Sequence, residues 1–166
     1  MSAEWYVLQT KPRKEDYVAG QLSARSAEIF FPRLLESVRL GETRQQRVAP
    51  MFPSYLFVRL NVDENGTGVR YTPGVKDFLR CDGAPEPVSS DVVETLQHRT
   101  GPSGVYCPPP RHLAPGARLR IEDGPLRGMD VIFEKEMSGP ERVAVLLAEV
   151  NLHARVVLSR HSLIAN

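Results

Sequence analysis

Residues 50–60 read Pro50-Met51-Phe52-Pro53-Ser54-Tyr55-Leu56-Phe57-Val58-Arg59-Leu60. The run from Ser54 to Leu60 is rich in aromatic and β-branched residues and is the strongest buried-strand candidate in the chain. Alternation along a strand would put Tyr55 and Phe57 on one sheet face and Leu56 and Val58 on the other. Working outward, Glu4–Thr10 reads as another strand. Pro12 suits the first turn of a helix running to about Arg25, with Glu15 and Asp16 near its positive end and Val18 and Leu22 on one face. Glu28–Pro32 reads as a strand, and Leu34–Val48 as a hairpin around Gly41 with a charged tip. Asn61–Gly68 is polar and contains glycine, so it reads as a loop. Val75–Arg80 reads as a further strand. Asp91 and Glu94 have capping-box spacing, Val92, Val93 and Leu96 supply a helical stripe, and Gly101-Pro102 stops it. The order β-α-β-β-β-β-α predicts an α+β sandwich, with helices against an antiparallel sheet, over residues 1–100.

Residues 101–115 hold Gly101, Pro102, Gly104, Pro108, Pro109, Pro110 and Pro115, which is linker composition stiffened by a proline triplet. Residues 116–166 form a second small unit. Its short apolar runs are separated by Asp123-Gly124-Pro125 and Ser138-Gly139-Pro140, and a small β-barrel is the default expectation. The same segment also satisfies a helical period: Val143, Leu146, Leu147, Val150, Ala154, Val157, Leu158 and His161 share one helical face. Strand pair and helix therefore both stand at this level.

Charged content of 25% and hydrophobic content of 42% are close to those of globular domains, which excludes a wholly disordered tail. No apolar run approaches the ~20 residues that cross a bilayer. Met1–Glu4 leads straight into a strand-like run without a leader pattern, so a cytoplasmic location is expected. Lys11–Arg47 holds eight Lys/Arg against five Asp/Glu, whereas residues 116–166 hold seven of each. Phosphate contact is thus expected of the first half and not of the last third. Cys81 and Cys107 lack paired spacing, and His98, His112, His153 and His161 are scattered. No metal site, cofactor or enzymatic chemistry is expected.

Three blocks of the first half belong together. They are Trp5-Tyr6-Val7-Leu8 with Lys11-Pro12-Arg13-Lys14-Glu15, then residues 50–58, then Thr72-Pro73-Gly74-Val75 with Phe78. In order and spacing they resemble the N-terminal domain of NusG-type transcription elongation factors. The form PMFPSYLFV is closer to the specialised, RfaH-like antitermination paralogs. Leu119-Arg120-Ile121 with Asp123-Gly124-Pro125-Leu126-Arg127-Gly128 resembles a KOW motif, whose fold is an SH3-like barrel.

The resemblance implies a monomeric factor that docks on the clamp helices of RNA polymerase through an apolar patch. Phe52, Pro53, Tyr55 and Phe57 fall in or beside that patch by motif position, and exposure is expected of at least one of the three aromatics. It also implies contact with the non-template DNA strand through Lys11, Arg13, Lys14, Arg70 and Thr72, and with the polymerase gate loop through Gly66, Thr67 and Gly68. Tyr17, Gln21 and Pro73 stand where RfaH has basic and histidine DNA readers. In RfaH-like proteins the C-terminal unit packs on the polymerase site as a helical hairpin, and on release becomes a barrel that binds a small-subunit ribosomal protein. The acidic residue of the ion pair that locks RfaH falls at Ala49 here, with its basic partner at Arg142, so no such pair is expected. A housekeeping factor acting on most transcription units is the alternative on the same fold.

Overall fold

The protein is described by a computed structural model over residues 2–25, 27–108, 126–134 and 137–164. Strand β1 (Glu4–Thr10) leads into helix α1 (Glu15–Ser23), then β2 (Glu28–Phe30), β3 (Arg33–Leu40), β4 (Thr43–Pro50) and β5 (Tyr55–Leu60). Helix α2 (Val62–Arg70) and β6 (Val75–Phe78) follow. Next come the two-residue strands β7 (Arg80–Cys81), β8 (Ala84–Pro85) and β9 (Pro87–Val88), then helix α3 (Ser90–Thr100) and β10 (Val105–Tyr106). Helices α4 (Arg127–Glu134) and α5 (Gly139–Ile164) complete the described chain.

The main sheet has the order β2-β5-β1-β6, with β9 paired to β1 at Trp5 and Tyr6, and all its pairings are antiparallel. Its two central strands are apolar on both faces because both faces are covered. Trp5, Val7 and Phe57 share one buried cluster with Val92, Val93 and Leu96 of α3. Tyr6, Leu8, Leu56 and Val58 share the other with Val18 and Leu22 of α1 and Val69 of α2. The alternation read from the sequence at Tyr55–Val58 is therefore the one observed. Tyr6 also sits beside Glu4, and burial, aided by that carboxylate, pushes its phenol up to about 12. A second sheet, β10-β3-β4, carries the hairpin expected around Gly41, whose φ is 64°.

Two local expectations change. Residues 62–70 are a helix rather than a loop. The Asn61 side chain accepts a hydrogen bond from the Asp63 N–H at 3.2 Å, and Asp63 and Glu64 occupy the positive end of the helix dipole. Those gains, together with burial of Val69, outweigh two helical glycines of low propensity. Helix α3 is capped two residues before the expected position. Ser89 Oγ accepts from the Asp91 N–H at 3.3 Å, and Gly101 at φ 65° ends the helix.

The largest difference lies in the second unit. Its described residues form α4 and α5, not the strands of the default barrel expectation. The expected linker is described only to residue 108, and Leu119–Ile121 and the turn Asp123-Gly124-Pro125 lie outside the described residues. Helix wins here because the helical face has something to bury against. Met129, Ile132, Leu146 and Val150, at helical spacings, lie in the same cluster as Trp5, Met51, Phe52 and Phe57. The two helices touch closely: the Gly128 N–H donates to Glu149 Oε1 at 2.9 Å, and a Cβ on Gly128 would stand 2.6 Å from that oxygen.

Ser138 and Glu141 start α5 with a reciprocal capping box. The Ser138 N–H donates to Glu141 Oε2 at 2.6 Å, and the Glu141 N–H donates to Ser138 Oγ at 3.4 Å. The Ser138 backbone N–H, and secondly its hydroxyl, hold the Glu141 carboxyl below its ordinary value of 4.5. A lowered folded value means the stabilisation is complete above pH 4.5 and is lost as pH falls through the folded value. Far-UV circular dichroism on acid titration should therefore show helix loss beginning below about pH 4.5. Glu141→Gln should remove that component of the titration and leave the later acid unfolding; an identical curve would show that the box contributes nothing.

Candidate functional site

The turn between β4 and β5 is held from three sides. The Met51 N–H donates to Pro32 O at 2.9 Å, the Thr10 N–H to Ser54 O at 2.8 Å, and the Ser54 N–H to Glu15 Oε1 at 2.8 Å. Ser54 has a φ of 68°, unusual for a residue with a Cβ, and these bonds keep it there. Glu15 is almost fully buried in doing so. Its sequence signal, an acid near a helix start, points only to the helix dipole.

This turn places Met51 and Phe52, and β5 places Phe57, in the cluster that holds Met129 and Ile132 of α4 and Leu146 and Val150 of α5. Met51, Phe52 and Phe57 are each 0% exposed, so the expectation of an exposed aromatic fails for Phe52 and Phe57. The reason is the packing around them, in which α3, α4 and α5 all take part. Phe52 and Phe57 meet edge to face at 6.1 Å, Phe30 lies 5.8 Å from Phe57, and all three share their cluster with the inner faces of α4 and α5. Tyr55 and Pro53 remain half-buried, and burial raises the Tyr55 phenol above its ordinary value. Gly139 meets Pro53 so closely that a Cβ there would lie 2.7 Å from Pro53 Cγ. On the flank, Tyr106 of β10 packs edge to face on Phe133 of α4 at 5.0 Å, and the Arg99 guanidinium of α3 lies 4.9 Å from the same ring.

Arg142 is the polar centre of this contact. It is 5% exposed, yet its donors are used across the boundary between the two units. Nε donates to Met51 O at 2.6 Å and Nη2 to Pro50 O at 3.5 Å, while Nη1 donates to Met137 O. Glu36 Oε2 stands 4.0 Å away, and its Oε1 is taken by Arg47 at 2.7 Å. Burial pulls the Arg142 guanidinium down from its ordinary value, opposed first by Glu36 and then by Glu141. The absent acid at position 49 thus leaves Arg142 well provided for. Backbone carbonyls, which no residue identity announces, replace the missing carboxylate.

The expected basic edge is present at the β1–α1 turn. Lys11, Arg13 and Lys14 are exposed, and Arg13 adopts a φ of 61°. Lys14 Nζ lies 5.7 Å from the centre of the Tyr17 ring. Arg70, at the end of α2, is exposed and pairs with Asp77 at 3.4 Å. The Arg80 guanidinium hydrogen-bonded to Asp77 holds that carboxyl below its ordinary range. Thr72 differs from expectation. It is 2% exposed, its hydroxyl donates to Gly68 O at 3.1 Å and accepts from Arg25 at 3.4 Å, so it shapes the turn instead of facing solvent. Of the expected gate-loop residues, Thr67 and Gly68 are exposed on α2. Gly66 is buried, where a Cβ would stand 2.8 Å from Val62 Cγ2.

Comparison with known proteins adds an independent finding. The family model for the transcription termination factor nusG matches residues 3–97. The transcription termination/antitermination protein NusG of Thermus thermophilus is 29% identical over 143 residues, covering 75% of this chain and 78% of that protein. Its Pseudomonas aeruginosa counterpart is 26% identical over 158 residues, covering 87% and 88%. Among solved structures, one of domain interaction in Thermotoga maritima NusG aligns at 25% identity with a TM-score of 0.42, over 58% of this chain and 56% of that one.

Proposed function

This chain belongs to the NusG family of transcription termination/antitermination factors, and from that premise we propose that it is a specialised elongation and antitermination factor, recruited to selected operons. In this reading the surface built by Phe52, Pro53, Tyr55 and Phe57 docks on the clamp helices of RNA polymerase. Lys11, Arg13, Lys14 and Arg70 position the non-template DNA strand through its phosphates. Thr72 acts indirectly, by holding Arg25 and the turn after α2. The exposed end of α2 at Thr67 and Gly68, with Gly66 beneath it, meets the gate loop. Residues 116–166, once released, take the barrel form that their alternation also satisfies and bind a small-subunit ribosomal protein.

The observation that supports the specialised branch is the cover over the apolar surface. A docking face that is covered until α4 and α5 are displaced makes recruitment conditional. A factor that acts at few sites gains specificity if docking must first displace them at a cost. Genome-wide occupancy of the tagged protein tests this. Occupancy at one or a few operons is expected; occupancy wherever polymerase elongates would establish the housekeeping reading instead.

The docking residue is tested separately, with the hairpin released by Arg142→Ala. In that background Tyr55→Ala should weaken polymerase capture by about 2 kcal/mol, roughly thirty-fold, as for a central aromatic anchor. Tyr55 is only half-buried, so the domain should remain folded. Equal capture by the folded double variant would remove Tyr55 from the interface.

A further inference from the structure

The chain from Phe52 to Tyr55 makes a tight turn, closed by a hydrogen bond from the Tyr55 N–H to Phe52 O at 3.0 Å. Pro53 holds its second position and Ser54, at φ 68°, its third. Proline at the second position and a positive φ at the third are the marks of a type II turn, whose third position favours glycine or asparagine. Serine carries a Cβ and by itself favours the type I form, in which the peptide between Pro53 and Ser54 is flipped and the third residue has a negative φ. Both forms keep the closing bond, so the flip changes the surface of the turn without opening it.

One side chain opposes that flip. Glu15, at the start of α1, accepts the Ser54 N–H at 2.8 Å. It is 8% exposed, and among the described residues no cation pairs with it. A carboxylate withdrawn from water costs free energy unless it is hydrogen-bonded, and an apolar side chain would fill the same space without that cost. Its charge-assisted bond goes to the N–H that reverses direction when the turn changes type.

We propose that Glu15 is a positioning residue for polymerase docking: its carboxylate holds the Pro53–Ser54 peptide in the type II orientation and so fixes the face that Pro53 and Tyr55 present. The proposal rests on the docking reading of that surface and names what sets its shape. Pro53 and Tyr55 flank the held peptide and are both half-buried, so a flip between them alters the contact surface directly. Phe52 and Phe57, fully buried, anchor the chain in the core on either side.

The test uses the full chain in the Arg142→Ala background, with polymerase capture and denaturant unfolding measured on each variant. Glu15→Met, close in volume and unable to accept the bond, should weaken capture about ten-fold, the population shift expected when a left-handed serine loses its tether. Adding Ser54→Gly, which suits a positive φ without the carboxylate, should restore capture. Ser54→Gly alone should bind like its parent, and Glu15→Gln, which keeps an uncharged acceptor, should fall between. If Glu15→Met captures polymerase like its parent, or Ser54→Gly fails to restore what Glu15→Met loses, the positioning role is wrong. A lowered unfolding midpoint without rescue would make Glu15 a packing residue only. Amide exchange separates this outcome from failure of the docking reading. In Glu15→Met the Ser54 amide should exchange about ten-fold faster, while the Tyr55 amide, bonded to Phe52 O in either form, should not change. If that holds and no variant captures polymerase, parent included, the docking reading falls and takes the role in docking with it. If Ser54 exchange is unchanged, the tether itself is overturned.

Discussion

Arg142→Ala should release α5 from the Pro50–Ser54 turn and increase capture of RNA polymerase. The side chain donates to carbonyls of Pro50, Met51 and Met137 in a nearly water-free contact, and water cannot replace those bonds while the surfaces stay together. A buried acceptor left unsatisfied costs about 1–3 kcal/mol, and the apolar stem of the side chain is lost as well. A net weakening of about 3 kcal/mol changes the ratio of covered to uncovered molecules roughly 100-fold. Amide exchange of α5 should accelerate by a similar factor. Two companions locate the source. Glu36→Gln should have a small effect, below about 1 kcal/mol, because its 4.0 Å approach is long and shared with Arg47. Arg142→Lys should fall between, since one ammonium cannot reproduce the planar fork. Should Glu36→Gln match Arg142→Ala, the contact is an ion pair after all and the carbonyls are incidental.

Phe52→Ala should be the costliest single change in the apolar surface. Phe52 is 0% exposed and stacks edge to face on Phe57, which is itself fully buried. Truncating a buried phenylalanine costs about 3–5 kcal/mol through lost transfer energy and the cavity left behind. That is a large share of the stability of a small domain, typically 5–15 kcal/mol. Read from sequence alone, Phe52→Ala would weaken polymerase binding in an otherwise intact domain. With the ring buried, the loss should appear first as a lower denaturant midpoint at unchanged slope. Phe52→Leu, which keeps most of the volume, should recover more than half of the loss. A parental midpoint for Phe52→Ala would mean that the ring is not part of the packed state in solution. The contrast with half-buried Tyr55 guides further work: Tyr55 reports on docking, whereas Phe52 reports mainly on folding and closure.

Much of the first domain was legible because its signals are local. The runs Trp5–Leu8 and Tyr55–Val58 have the β-favouring composition of two-sided central strands, and the motif blocks place them in one family. The misses have local causes too. Asn61 and Ser89 are ordinary capping residues whose value depends on one N–H each. Two glycines in α2 masked a helix that its cap and Val69 secure. The sequence Ser138-Gly139-Pro140-Glu141 reads as a turn if proline and glycine are weighed first. It reads as a helix start if Ser138 and Glu141 are weighed as a capping box, and the structure chooses the second.

The sequence by itself determined the main strands of the first domain, the alternation at Tyr55–Val58, the basic edge and the family. These follow from period-two patterning and motif spacing, which are properties of neighbouring residues. Only the tertiary structure decided the helical state of residues 127–134 and 139–164, the burial of Phe52 and Phe57, and the partners of Arg142. The C-terminal segment satisfies a strand period and a helical period at once, so local patterning alone does not choose between them. The deciding contribution comes from a face more than seventy residues earlier in the chain, around Met51 and Phe52, against which the helical face is buried.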